Sequence, residues 1–135
     1  MSLIAEMNKI ANELDLMGYT AILPKEDNRD NIPEECADRK RINEYKREVS
    51  MKYFSKIAEE DTSAVLIVNE PKKGISNYIG ANTFAEIAIA FYFNKKIFLL
   101  NDIYDPFEDE LSGWGAVSLN GNINGIRQYF SDCPQ

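Results

Sequence analysis

The stretch AVLIVNEP, residues 64–71, decides the fold class of this chain. Five consecutive apolar residues followed by a turn sequence are typical of a strand buried on both faces, as in the middle of a parallel sheet. KIFLL, residues 96–100, repeats this pattern after an intervening helical segment. Strands that alternate with helices indicate a parallel sheet with helices packed on both of its faces.

The flanking sequence extends this alternation toward both ends of the chain. Residues 3–17 carry apolar side chains at three- and four-residue steps, which predicts an amphipathic helix that ends at Gly18. Tyr19–Leu23 predicts a buried strand, and residues 25–32 predict a loop. Further helices are predicted over residues 33–60, from Asn82 or Thr83 to Phe93, near 108–111 and over 123–131, with a weaker last strand over 116–119.

These elements predict a single α/β domain over residues 1–135. Open sheets of this kind usually begin with a strand, and the loop after that strand is often part of the ligand site. This chain opens with a helix instead. Either the sheet has four strands, or the chain begins directly after a first strand. We expect a three-layer α/β/α sandwich with a parallel sheet and its first strand missing.

The composition excludes several classes of function. The chain has 15 Lys plus Arg against 22 Asp plus Glu, a formal net charge of −7, which argues against nucleic-acid binding. The absence of His excludes Ser-His-Asp and Cys-His nucleophilic systems and His-ligated zinc. Two cysteines at unrelated spacing fit a reducing compartment, and no apolar run resembles a signal peptide or a membrane span. We therefore expect a cytoplasmic protein that requires neither a metal nor another cofactor.

The segment NYIGANTFAE, residues 77–86, is the best candidate for a functional site. Ligands of open α/β sheets bind beyond the carboxyl ends of the strands. Gly80 and Ala81 permit close approach of a ligand, and the helix start offers free N–H groups. Glu86 comes one turn into the helix, where a carboxylate could attack a sugar carbon or stabilise an oxocarbenium ion. The alternative is a capping box between Thr83 and Glu86, which is a common arrangement at helix starts.

The other polar residues near the strand ends each have two interpretations. Asn69 could bind a ribose hydroxyl or a base edge, or it could start a turn. Tyr78 could stack on a base or bind a phosphate, or it could cover a loop. Asn82, Thr83 and Asn101 join them as candidate substrate-binding residues.

Charged and aromatic clusters elsewhere are interpreted as structural. Basic residues in the range 39–47 alternate with acidic ones at helical spacing, which predicts a salt-bridged, exposed helix face. The aromatic residues 91–93 are predicted to belong to the core. Trp114 lies between two glycines and either lines a pocket or covers an edge.

Residues 63–69, 78–87 and 95–101 together resemble the nucleoside 2-deoxyribosyltransferase-like superfamily, and most closely its small bacterial and archaeal members. The similarity extends over about residues 3–126 and implies a flavodoxin-like fold with a five-stranded parallel sheet, assembled as homodimers or higher oligomers. In characterised members a helix-borne glutamate is the nucleophile and forms a covalent (deoxy)ribosyl intermediate. Glu86 matches that glutamate, and the segment Gly80–Thr83 matches the loop around the sugar or its 5′ group. The family's first strand has no counterpart here, and Ser63 and Gly80 occupy positions where many active members carry an acidic residue.

The resemblance implies an N-glycoside-processing enzyme, a transferase or hydrolase that acts on a nucleoside or nucleotide through Glu86. A second hypothesis is a nucleotide-binding or sensing module of the same fold without turnover, which the missing strand and acidic partners favour. A third is a structural or oligomerisation domain that binds nothing. Release of a free base, as opposed to binding alone, distinguishes the first hypothesis from the second.

Overall fold

The computed structural model describes residues 3–23 and 38–130. These residues form five α-helices, which are α1 Leu3–Leu16, α2 Arg39–Ala58, α3 Ala81–Tyr92, α4 Glu108–Gly113 and α5 Arg127–Phe130. They also form three strands, β1 Ala64–Ile67, β2 Lys96–Leu99 and β3 Val117–Ser118. Two short 3-10 turns, Asp105–Phe107 and Ile123–Ile126, lead into α4 and α5.

The three strands form one parallel sheet in chain order, β1-β2-β3. Ala64 lies opposite Lys96, and Phe98 lies opposite Val117. Parallel neighbours need a crossover connection, and α3 supplies the one between β1 and β2. The predicted α/β class with a parallel sheet is therefore confirmed.

Helices cover both faces of this sheet. One face packs against α2, α3 and α4, and the buried members of its core are Ile57, Ile67, Ile79, Ile87, Ala90, Ile97, Leu99 and Leu111. The other face packs against α1 and residues 119–130, and the buried members of its core are Ile10, Phe98, Leu100, Leu119, Ile123 and Ile126. This layering arises because successive strand residues point to opposite faces, and it is compatible with a flavodoxin-like sandwich.

The segment Tyr19–Leu23 is not a strand in the structure, so that prediction is wrong. α1 is followed by a tight turn in which Tyr19 N donates to Leu14 O at 3.0 Å and Gly18 adopts a φ of +92°. The Tyr19 ring then packs against Phe130, with centroids 5.7 Å apart. An apolar run becomes a strand only where its backbone groups find a pairing edge. This one pairs with none of β1, β2 or β3, so the described sheet has three strands.

α2 is the longest helix of the described residues. Asp38 caps it, because its carboxylate accepts a hydrogen bond from Arg41 N at 2.8 Å. At 1.5 Å per residue the helix is about 30 Å long, roughly twice the length of β1. Its predicted start over residues 33–37, like the predicted loop over 25–32, lies outside the described residues. None of the helices in residues 3–23 and 38–130 has the length and apolar character needed to cross a lipid bilayer.

The aromatic residues at the end of α3 are exposed, so their assignment to the core is wrong. The side chains of Phe91, Tyr92 and Phe93 are 45%, 77% and 43% exposed. Ala90 is the residue of this last turn that is fully buried. Each helical residue is rotated by about 100° from the one before, so the following residues leave the face that meets the sheet.

Candidate functional site

Asn69 joins the ends of β1 and β2 and is the buried polar residue of the described core, with 1% of its surface exposed. Its Oδ1 accepts a hydrogen bond from Asn101 N at 2.9 Å, and its Nδ2 donates to Asp102 O at 2.7 Å. Asn101 Nδ2 in turn donates to Asn69 O at 3.0 Å. The two bonds between Asn69 and Asn101 form a reciprocal bracket, and the third bond ties Asn69 to Asp102. Because both polar groups of the Asn69 side chain are engaged inside the protein, Asn69 fixes the position of Asn101 rather than starting an exposed turn.

The bracket extends to the third strand through Asp102. Its Oδ1 accepts from Ile103 N at 2.7 Å and from Ser118 Oγ at 3.2 Å. The polar residues that follow β1 and β2 are therefore tied to β3 as well. The predicted grouping of Asn69 and Asn101 at the carboxyl edge of the sheet agrees with this geometry.

Tyr78 covers the loop that leads from β1 to α3. Its ring meets the ring of Tyr104 edge-on with centroids 5.6 Å apart, and Lys72 Nζ lies 5.6 Å from its centroid. The loop is tightly turned, because Lys73 and Asn77 have φ values of +51° and +58°. Tyr78 thus has the covering role that the sequence left open, and its position beside the start of α3 keeps it next to the candidate site.

α3 begins at Ala81 and its N-cap is Gly80, not Asn82 or Thr83 as the sequence predicted. The Gly80 backbone is extended, with φ −82° and ψ 174°, so any residue could adopt it. A Cβ atom built there would make ordinary contacts of 3.5 Å or more with Tyr78. Neither strain nor crowding requires a glycine at this position. No side-chain hydrogen bond caps the helix, so no described side chain satisfies its first N–H groups.

Glu86 is the sixth residue of α3, so a capping box with Thr83 is wrong. Thr83 itself lies inside the helix, and a capping box requires it at the N-cap. Among the substrate-binding candidates on this helix, Ala81 and Asn82 are exposed and Thr83 is half-buried. All three belong to the first turn of the helix.

The carboxyl group of Glu86 is half-buried on α3, the helix that packs against α2. Burial raises its pKa above the ordinary value, and the charge of Lys46 on α2 partly opposes this rise. The sequence interpretation placed Lys46 in a solvated charged face and missed this partner. In the structure Tyr45, Lys46 and Val49 are half-buried at helical spacing, so Lys46 lies beside the packed face of α2.

A cleft of about 240 Å³ opens at the carboxyl edge of the sheet, on the face covered by α1. Residues that follow all three strands contribute to it, including Glu70, Asn101 and Gly121, and α1 adds Glu6 and Glu13. Sequence reasoning missed the α1 side chains because that helix was interpreted only by its apolar face. A larger groove of about 410 Å³ is formed by α2 residues alone and contains none of the candidate residues.

The candidate residues therefore form two groups at the same edge of the sheet. Tyr78, Gly80 and Glu86 belong to the face covered by α2 and α3, whereas Asn101 opens into the cleft beside α1. Within the described ranges, no three Cys, Asp or Glu side chains come together in a way that could hold a metal ion.

Comparison of the chain with protein-family models, with curated proteins and with solved structures finds no match.

Proposed function

We propose that this protein processes N-glycosides, acting on a nucleoside or nucleotide as a (deoxy)ribosyltransferase or hydrolase, with Glu86 as the nucleophile. The observation that carries the proposal is the half-buried carboxylate of Glu86, on a helix whose N-cap Gly80 supplies no side-chain cap. Carboxyl groups with a perturbed pKa are frequent at catalytic sites. The resemblance of the chain to nucleoside 2-deoxyribosyltransferase-like proteins, with their flavodoxin-like fold, supports the same assignment.

The proposed reaction has two displacements at the anomeric carbon. In the first, a carboxylate oxygen of Glu86 attacks C1′, the C1′–N bond breaks, and the base leaves with the bonding electron pair and takes a proton from solvent. In the second, water or another base attacks C1′ and releases Glu86. Partial burial leaves the Glu86 carboxylate less solvated and so a stronger nucleophile, while Lys46 favours the ionised form that must attack.

The start of α3 supplies groups that can position the sugar. The N–H groups of the first helical turn suit a sugar hydroxyl or a 5′-phosphate, because they are uncapped and lie at the positive end of the helix dipole. The Tyr78 ring lies against Gly80, 3.5 Å from where a Cβ atom would stand, so a ligand at the helix start would meet this ring. Asn82 and Thr83 can add side-chain hydrogen bonds.

The decisive experiment is chromatography of free base released from a panel of ribonucleosides, 2′-deoxyribonucleosides and their 5′-monophosphates. We expect release by the unmodified chain and loss of release in Glu86→Gln. Glu110→Gln is the matched control, because Glu110 is an exposed glutamate on a different helix, α4. Mass spectrometry of acid-quenched protein should show an added sugar mass on the unmodified chain and none on Glu86→Gln. A Glu86→Gln variant that releases base at the unmodified rate would refute the proposal.

The alternative is a nucleotide-binding or sensing module without turnover. The cleft beside α1 favours it, because its asparagine is fixed by a buried bracket on the face away from Glu86. In that case thermal shift on the same panel should detect a ligand, while chromatography detects no base in any reaction.

We also propose that the protein assembles as a homodimer or a higher oligomer, as the resemblance implies. The exposed aromatic side chains of residues 91–93 supply apolar surface that an interface could bury. Light scattering at micromolar concentration tests this, and the mass of a monomer would contradict it.

A further inference from the structure

Asn101 presents one amide group to the cleft beside α1 in a fixed orientation. Its backbone N–H donates to Asn69 Oδ1 at 2.9 Å, and its Nδ2 donates to Asn69 O at 3.0 Å. Asn69 is 1% exposed, so the surrounding core restricts its movement. Two hydrogen bonds to a buried partner therefore hold both the backbone and the side chain of Asn101.

This orientation leaves the Asn101 Oδ1 atom available. Among the described residues no hydrogen bond reaches it, since the bonds of Asn101 use only its two nitrogen atoms. Gly121 keeps the space next to it open, because a Cβ atom there would lie 3.9 Å from Oδ1. An amide oxygen with a fixed direction and open space in front of it is a hydrogen-bond acceptor for a ligand.

The three carboxylates around the cleft have the same preference. Glu6, Glu13 and Glu70 line it and, when ionised, can only accept hydrogen bonds. Among the described lining residues, Lys9, Asn122 and Asn124 carry hydrogen-bond donors. Acceptors of this kind favour a ligand that donates N–H groups. They disfavour a ligand that presents a carbonyl oxygen or a phosphate at the same place, because two acceptors face each other without a proton between them.

We propose that this cleft selects nucleosides whose base carries an exocyclic amino group, which donates to Asn101 Oδ1. The choice of nucleosides as ligands rests on the proposed function, but the preference for an amino group rests on Asn101 Oδ1 and on the three carboxylates of the cleft. The cleft thereby discriminates between bases that differ by a single exchange of an amino group for an oxygen. Adenosine and inosine form one such pair, and cytidine and uridine form the other.

The test measures binding in the full chain carrying Glu86→Gln, so that no ligand is consumed. Isothermal titration with the four nucleosides should give tighter binding of adenosine than of inosine, and of cytidine than of uridine, by about tenfold in each pair. In a ¹H–¹⁵N spectrum, adenosine and cytidine should shift the side-chain amide signals of Asn101. Equal affinities within both pairs, a preference for the oxo members, or no binding of any of the four would overturn the inference.

A second variant locates the preference. Asn101→Leu, added to Glu86→Gln, removes the acceptor at similar volume and should reduce the ratio within each pair to about one. Asn43→Leu, at an exposed position of α2, is the matched control and should keep the ratio. A retained preference in folded Asn101→Leu would refute the role of Asn101. If that variant does not fold, the titrations and spectra of the Glu86→Gln chain still test the preference for an amino group.

The outcome separates this inference from the proposed function. Amino-selective binding together with no base release by the unmodified chain would leave the inference standing and refute the N-glycoside reaction. Base release without a preference for amino-bearing bases would support the N-glycoside reaction and refute this inference.

Discussion

Trp114 lies flat against Phe91, with ring centroids 5.3 Å apart and planes inclined by only 13°. The same indole also meets Phe84, with centroids 5.4 Å apart. A residue of the turn after α4 thus lies against two side chains of α3 that are two helical turns apart. Trp114 covers this helix and does not line the cleft at the strand ends, which decides between the two roles that the sequence left open.

We predict that Trp114→Ala lowers the free energy of unfolding by about 2–4 kcal/mol, because it removes a half-buried indole and two ring contacts. Trp114→Phe should cost clearly less, since one stacked ring remains. Urea unfolding followed by circular dichroism measures both. Met51→Ala is the control, because this 64% exposed side chain should change stability by no more than about 0.5 kcal/mol. Equal effects of Trp114→Ala and Met51→Ala would contradict the prediction.

Asn69→Leu should destabilise the chain by about 2–4 kcal/mol, because it leaves Asn101 N and Asp102 O without their partners in a partly buried place. The apolar replacement has a similar volume, so the loss reports the hydrogen bonds and not a cavity. Urea unfolding measures it, with Asn43→Leu as the exposed control. An Asn69→Leu variant as stable as the unmodified chain would show that the bracket contributes nothing to stability.

The pKa of Glu86 gives stability a defined dependence on pH. Burial raises the pKa of this carboxyl in the folded chain above its ordinary value near 4.5, despite Lys46. The folded state therefore holds this proton more tightly than the unfolded state does. The contribution of Glu86 to the free energy of unfolding is largest below about pH 4.5 and is lost as the pH rises through the folded pKa. We predict that the unmodified chain loses stability relative to Glu86→Gln as the pH rises from about 4.5 toward neutrality.

Urea unfolding at several pH values measures this difference directly. Glu110→Gln should run parallel to the unmodified chain over the same interval, because its carboxyl is exposed. Lys46→Met removes the opposing charge, so it should raise the pKa of Glu86 further in a carboxyl NMR titration. If the unmodified chain instead gained stability relative to Glu86→Gln as the pH rose, the raised pKa of Glu86 would be refuted.

Gly80→Ser separates folding from ligand binding at the start of α3. The extended backbone of Gly80 accepts any residue, and serine is a good N-cap, so stability should stay the same or increase by a few tenths of a kcal/mol. The added side chain and its cap occupy the helix start, so kcat/KM for base release should fall by about tenfold or more. Thermal melting and the chromatographic assay provide the two measurements. Full activity in the serine variant would show that the substrate does not approach this helix start.

The strands and the first helix could be predicted from the sequence because their signals are local. Residues 64–67 and 96–99 are nearly uninterrupted apolar runs, and α1 repeats its apolar positions every three or four residues. The grouping of Asn69 with Asn101 followed from a general rule about parallel sheets, since both come directly after a strand.

The errors concern features that depend on distant residues. Tyr19–Leu23 has the composition of a strand but finds no pairing edge among β1, β2 and β3. The helix start at Gly80 was missed because Asn82 and Thr83 are better caps by residue type. Lys46 could not be paired with Glu86, because only the packing of α2 against α3 brings the two helices together.

Each strand of the sheet pairs with the strand that follows it in the chain. Forming each strand pair therefore closes only the loop between two consecutive strands. The entropy cost of closing a loop grows only with the logarithm of its length. The segment from β1 to β2 can condense around Ile87 before α1 and α5 dock on the other face. From the order of the strands we expect residues 64–99 to form the folding nucleus. Changes inside it should slow folding in stopped-flow experiments, whereas changes in α1 should chiefly accelerate unfolding.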